Sequence, residues 1–203
     1  MAQVALIGAS GNAGSRILKE LSDRGHKVTA IARDTGRIAT LPGVTPTPGD
    51  ANDRASLAAL LKGHDAVISS VHFSVSNVET LVGAVRDAGV KRYLVVGGAG
   101  SLEVAPGQKL IDQPDFPEAY RAEAAAGGEF LDYLRGVDDL DWTFLSPSAE
   151  FVPGERTGRF RLGKDSLLTH DGGSSISFED FAIALVDELE TPRHARQRFT
   201  VGY

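Results

Sequence analysis

The sequence contains no cysteine. Disulfides, thiolate nucleophiles and cysteine-built metal centres are therefore excluded, and a reducing compartment is compatible with the chain. Positive charge is also short: 21 Lys and Arg stand against 27 Asp and Glu, for a formal net charge of −6. That balance leaves no electrostatic footprint for nucleic acid or an anionic membrane, so an anionic ligand must be held by local groups. The one dense basic stretch, Arg156 to Arg161, is flanked by acidic residues. No apolar run approaches the ~20 residues of a membrane-crossing helix. The chain opens on an apolar stretch without a basic leader or cleavage pattern, so a cytoplasmic protein is expected. His26, His64, His170 and His194 show no ligand spacing to one another, and no metal site is expected. Repeats, low-complexity tracts and flexible linkers are missing too. Residues 1–203 read as one domain, long enough to bury a sizeable core.

What the chain does have is a regular alternation of two periodicities. "QVALI" (Gln3 to Ile7) reads as a buried strand. Ile17, Leu18 and Leu21 then share one helical face, opposed by Arg16, Lys19, Glu20, Asp23 and Arg24. Gly25 ends that helix, and "KVTAIA" (Lys27 to Ala32) is a second strand. Strand, helix and strand within about 30 residues make a βαβ unit, a parallel pair with a right-handed crossover. The pattern continues with strands over Val44 to Asp50, Asp65 to Val71, Arg92 to Gly98 and Asp141 to Pro147. Helices fall over Arg54 to Leu61, Asn77 to Ala88 and Glu118 to Leu134. Prolines in the first of these strands place it near a sheet edge. Such alternation predicts an α/β fold with a doubly wound, Rossmann-type parallel sheet. After Pro147 the rhythm changes, and residues 148–203 read as a small C-terminal substructure on the substrate side. Gly154 to Leu168 suggests an excursion or hairpin, Ser175 to Glu190 a helix with Ser177 as N-cap, and "RFTVGY" a last strand.

Three glycines, Gly8, Gly11 and Gly14, lie between the first strand and the first helix. In a Rossmann turn the first permits the tight bend, the second a close approach of backbone to pyrophosphate, and the third the packing of helix on strand. The amides at the start of the helix then face the phosphates. No GK[ST] follows, which excludes a P-loop. At the end of the second strand stands Arg33, where a ribose-binding acid is the NAD pattern. Its guanidinium suits a 2′-phosphate, and Arg37 offers a second positive contact. NADP(H) is the expected cofactor. Asp34, turned to the ribose, would instead serve NAD(H).

The chain resembles the atypical short-chain dehydrogenase/reductases, and within them the group of NAD(P)-binding proteins likened to NADH-flavin reductases. The likeness rests on "GASGNAG", "GDAND", "RYLVVGGAGSLEVAPG", "DWTFLSPSAEFVPGERTGRFRLG" and "FTVGY", and runs through nearly the whole chain. It implies that Ser10, Gly11, Asn12 and Ala13 hold the pyrophosphate and Arg33 the 2′-phosphate. Asp50 and Ala51 would flank adenine. Ser70, Val71 and His72 would line the ribose and nicotinamide path, bordered by Gly97, Gly98, Ala99, Pro147 and Ser148.

Typical members of the wider superfamily carry a YxxxK pair and a serine after the fifth strand. Here Tyr120 is followed four positions on by Ala124, and none of Tyr93, Tyr133 or Tyr203 has a lysine at that spacing. Gly98 falls where the serine hydroxyl is expected. Ordinary carbonyl reduction is disfavoured, as is an epimerase. Hydride transfer to a flavin, quinone or similar planar acceptor needs less help, because the ring delocalises the incoming charge and catalysis rests on stacking and orientation. His72, Tyr120 and Ser101 are the candidate proton donors. Phe151 and Phe160 are candidate faces for the acceptor, and Arg156, Arg159 and Arg161 for its anionic tail. A protein that senses NADP(H) without turnover is the alternative, since it too would lack the dyad.

Overall fold

The computed structural model describes residues 1–203. The strands are β1 (Gln3–Ile7), β2 (Lys27–Ala32), β3 (Val44–Pro48), β4 (Ala66–Ser69), β5 (Arg92–Val96), β6 (Glu103–Ala105), β7 (Gln108–Lys109), β8 (Asp141–Ser146), β9 (Glu150–Val152), β10 (Arg161–Gly163), β11 (Ser175–Ser177) and β12 (Gln197–Gly202). The helices are α1 (Asn12–Asp23), α2 (Arg54–Leu61), α3 (Val78–Asp87), α4 (Glu118–Arg135) and α5 (Phe178–Glu190). Eight strands form the main sheet in the order β10-β12-β8-β5-β4-β1-β2-β3. All neighbours are parallel except the edge pair β10 and β12. β3, with Pro46 and Pro48, forms the opposite edge, where a missing amide donor is tolerated.

Both faces of the sheet are buried, and strand periodicity divides the core. From β1, Val4 and Leu6 join the apolar cluster under α1 and α5, whereas Ala5 and Ile7 join the one under α2, α3 and α4. β5 repeats the division, with Leu94 and Val96 on the first side and Tyr93 and Val95 on the second. This is the doubly wound arrangement that continuous apolar strands require. The capping residues also sit where local chemistry demands. Asp53, Asn77 and Ser177 accept the amides of Ser56, Thr80 and Asp180 at the starts of α2, α3 and α5.

Three segments differ from expectation. Ser175 to Ser177 is not the first turn of a helix. It is β11, parallel to β9, and α5 begins only at Phe178, because Ser177 has extended backbone and spends its hydroxyl on the cap. The segment 154–168 does not fold back on itself, since its strand β10 pairs with the C-terminal β12. The short β6–β7 hairpin was not foreseen at all; Gly107, with φ of +75°, makes its turn.

Candidate functional site

β1 lies between β2 and β4, so the connections on its two sides leave in opposite directions. A crevice opens outside the carboxyl ends of the strands at such a point. Here it is a cleft of about 450 Å³, floored by the ends of β1, β2, β4 and β5 and the loops that leave them. Gly8, Ser10, Gly11, Asn12 and Ala13 form its central wall. Arg33, Asp50 and Ala51 stand at one end, and Ser70, Val71, His72, Gly97 and Phe151 at the other.

The three glycines have different reasons to be glycine. Gly8 has φ of +83°, and a Cβ there would lie 2.0 Å from the Ser70 carbonyl oxygen. At Gly14 a Cβ would lie 2.0 Å from the Gly8 carbonyl oxygen, so this residue lets α1 pack on the turn. Gly11 is under no such constraint. Its φ is −74°, and a Cβ would meet nothing nearer than the Gly8 carbonyl oxygen at 3.5 Å. It is exposed at the cleft and sits at the N-cap of α1, where no side chain caps the helix and no acidic residue enters the first turn. The protein leaves these amides open toward the cleft, as an anion site requires.

At the β2 end, Arg33 is exposed and makes no ion pair within the chain. The neighbouring Asp34 is engaged, its carboxylate accepting the Gly36 amide at 2.9 Å in a turn of its own. Asp50 likewise accepts the Asn52 amide at 2.9 Å, and the Asn52 side chain donates to the Val75 carbonyl at 3.0 Å, tying two walls of the cleft together. At the β5 end, Phe73 is anchored against Phe130 and Phe144, with ring centroids 5.1 and 6.0 Å away. The Phe73 and Ser74 amides donate to the two oxygens of Glu123, at 2.7 and 2.9 Å. Burial works to raise the Glu123 carboxyl, but hydrogen bonds from Ser74 and Phe73 outweigh it and hold the group below its ordinary range. His72 points outward, with Nδ1 3.6 Å from Glu123.

Other residues singled out in the sequence lie elsewhere. Gly14, Arg37, Gly98, Ala99 and Pro147 do not line the cleft. Ser148 is buried and donates to the Val201 carbonyl at 2.9 Å. Tyr120 is exposed outside the cleft, and the Ser101 hydroxyl accepts from Arg198 at 2.9 Å. Arg156 grips Glu20 of α1, and Arg161 donates to the Thr169 and Tyr203 carbonyls. Phe160 lines a second, smaller depression of about 230 Å³ beside the C-terminal half of α5. Conversely, sequence reasoning passed over Asn52, Phe73, Glu123 and Phe178, all of which line the main cleft. Glu123 lies on α4, a helix the sequence marks, but nothing local singles it out: its partners are the Phe73 and Ser74 amides about 50 residues earlier.

The parallel sheet, the switch-point cleft and the open helix terminus define a Rossmann-type dinucleotide-binding protein. The chain belongs to the NAD(P)H-binding family, whose family model matches residues 8–192. A solved structure of a Burkholderia pseudomallei protein, provisionally named an exported protein, is 48% identical with a TM-score of 0.91 and covers 100% of both chains. A Bacteroides thetaiotaomicron protein provisionally named an epimerase is 42% identical at a TM-score of 0.94, covering 99% of this chain and 96% of its own. A Streptococcus pneumoniae protein provisionally named an NADH-flavin reductase is 35% identical at a TM-score of 0.85, covering 100% of this chain and 99% of its own.

Proposed function

We propose that this protein is an NADPH-dependent reductase that passes hydride to a flavin, quinone or similar planar acceptor. Gly11 carries the cofactor part of the reading: it is the one glycine of the turn with no reason inside the protein, and it faces the cleft at an uncapped helix start. The preference for NADPH rests on Arg33, which lines the cleft without an ion-pair partner, while Asp34 is committed to the Gly36 amide and does not line the cleft. The nicotinamide, when bound, supplies the hydride.

The acceptor end supports the rest. Tyr120 and Ser101 stand outside the cleft, and Ser148 is engaged and buried. His72 is the lining group best suited to give a proton, and it is largely in solvent. A conjugated ring tolerates this, because its protons come from water after the charge is spread. Phe151 offers an aromatic wall, fixed edge-on against Phe178 with centroids 4.5 Å apart. The name of the Streptococcus relative agrees with this reading. The epimerase name of the Bacteroides relative has no Tyr–Lys pair to act through here.

NADPH oxidation, followed by its near-ultraviolet absorbance with riboflavin, FMN and a small quinone in turn, tests the assignment. Saturable turnover with NADPH favoured over NADH is the expected result. Tight NADPH binding without turnover on any acceptor would make the protein a cofactor sensor instead.

A further inference from the structure

The cleft is electrically asymmetric. Its one permanent cation, Arg33, stands at the end of β2, and its acceptor end carries the carboxylate of Glu123, reached from α4 behind β5. In the sheet β2 and β5 are separated by β1 and β4. Three strand spacings of about 4.8 Å put the two ends roughly 14 Å apart. That exceeds the Debye length of about 8–10 Å at ordinary ionic strength, so Arg33 does not neutralise Glu123.

No other arginine does so either. Arg16, near Phe178, is paired with Glu179. Arg121, two residues before Glu123, donates to Glu118 and the Ile111 carbonyl. Arg156 and Arg161, which the sequence offered for an anionic tail, are bound on other parts of the surface. The remaining lining groups of this end, Val96, Gly97, Phe73, Phe151 and Phe178, are uncharged. His72 is the single titratable neighbour.

Glu123 is also held where it stands. Its two oxygens receive the Phe73 and Ser74 amides, and a turn further along α4 Gly127 leaves room for the Phe73 ring, which a Cβ would approach to 3.1 Å. The carboxylate therefore cannot swing away from an incoming ligand without releasing two amide donors, of which the Phe73 amide is partly buried. Like any carboxyl near its ordinary range it is ionised at neutral pH, and the two amide donors favour that form.

We infer that Glu123 determines acceptor specificity: its fixed carboxylate selects uncharged acceptors, such as riboflavin and neutral quinones, over those that carry a phosphate on the tail. The inference rests on the reductase reading. A flavin stacked at this end brings its tail within one Debye length of Glu123. A charge of −1.5 to −2 on that tail, met at roughly 8 Å through a water-rich medium and screened at ordinary ionic strength, weakens binding by roughly twofold, and more at low salt.

Riboflavin and FMN differ only in that phosphate, and both fluoresce. Each is titrated into the NADP⁺-saturated protein at pH 8, with quenching as the readout. This measures binding without turnover. The bound cofactor also repels FMN, so the comparison between proteins, more than the preference itself, is diagnostic. In the parent protein riboflavin should bind the tighter by roughly twofold or more, a margin that widens at low salt. In Glu123→Gln, which keeps an oxygen for one amide, that ratio should fall toward the contribution of the cofactor alone. His72→Lys changes an exposed side chain beside Glu123, leaves the amide contacts intact and should narrow the ratio in the same way. An identical ratio in all three proteins, or FMN the better ligand of the parent, overturns the inference and leaves the reductase reading standing. Failure of both flavins to bind a protein that holds NADP⁺ overturns the flavin-reductase reading and the inference together.

Discussion

Gly11→Asp should separate folding from cofactor binding in a single substitution. At this N-cap the backbone is already extended, with ψ of 175°, and a Cβ meets only the Gly8 carbonyl oxygen at ordinary contact distance. An aspartate there caps the α1 amides, which no side chain now does. Relative to glycine that gains a few tenths of a kcal/mol, with a smaller favourable contribution from the helix dipole. For a chain of this size the melting temperature should rise by about 1 °C or stay level. Cofactor binding should collapse. A carboxylate about 5 Å from a doubly charged pyrophosphate, at an effective dielectric constant of about 40, costs about 3 kcal/mol. That is a loss of more than about a hundredfold in affinity, and the new carboxylate also occupies the amides the phosphates need. Nicotinamide fluorescence titration beside a thermal melt reads both quantities. A variant that melts like the parent and still binds NADPH as tightly would refute the assignment of this helix start to the pyrophosphate.

Arg33→Gln should weaken NADPH by about tenfold, the worth of one exposed charge-assisted phosphate contact, and change NADH by less than about twofold; parallel titrations with the two cofactors check it, and equal losses would count against a 2′-phosphate at this position. Gly97→Ala should destabilise the fold by about 1–3 kcal/mol, because a Cβ there would sit 2.3 Å from the Phe144 ring. Gly98→Ser, whose Cβ has only Phe73 at 4.0 Å, should be tolerated. Urea unfolding of the pair gives the comparison. Asp180, fully buried, accepts the Thr157 and Gly158 amides at 2.8 and 2.9 Å and the Thr157 and Tyr203 hydroxyls. Its replacement by Ala should cost about 3 kcal/mol and make residues 154–160 the first segment cut in limited proteolysis. Finally, burial works to raise the Glu188 carboxyl, but hydrogen bonds from His194 and the Arg193 amide prevail and lower it. A depressed folded-state carboxyl stabilises above its unfolded value of about 4.3 and loses that contribution as the pH falls through the lower folded value. Melting temperature should therefore drop below about pH 4, and Glu188→Gln should flatten that limb of the profile.

Apart from the β6–β7 hairpin, the strands and helices up to β8 were legible because each is specified locally. A buried strand such as β5 is an unbroken apolar run, and α1 and α3 show their faces at helical spacing. The central wall of the cleft was legible for the same reason, since the residues from Gly8 to Ala13 that form it are close in sequence. After Pro147 the helix α5 with its Ser177 cap and the strand β12 were legible too, but the short strands were not. β10 and β11 are three residues each, and their partners β12 and β9 lie far along the chain, so nothing local marks them. The acceptor end failed similarly. Arg156 and Phe160 sit in a basic, aromatic stretch that looks like a rim, but Glu20 and the outer side of α5 claim them.

The two halves of the cleft therefore differ in how evolution can alter them. The cofactor half is made of backbone: amides at the α1 start and carbonyl contacts around Gly8 and Gly14, where a side chain added at either glycine collides with main chain at 2.0 Å. Main chain cannot give way as a flexible side chain can, so this half admits few substitutions. The acceptor half is made of side chains, Phe73, Glu123, Phe151 and Phe178, brought in by a turn, two helices and a short strand of a separate sheet. Those elements can change the charge and shape of the acceptor end without touching the glycine turn. On the reading proposed above, the charge of Glu123 is the feature of this chain on which the choice of acceptor turns.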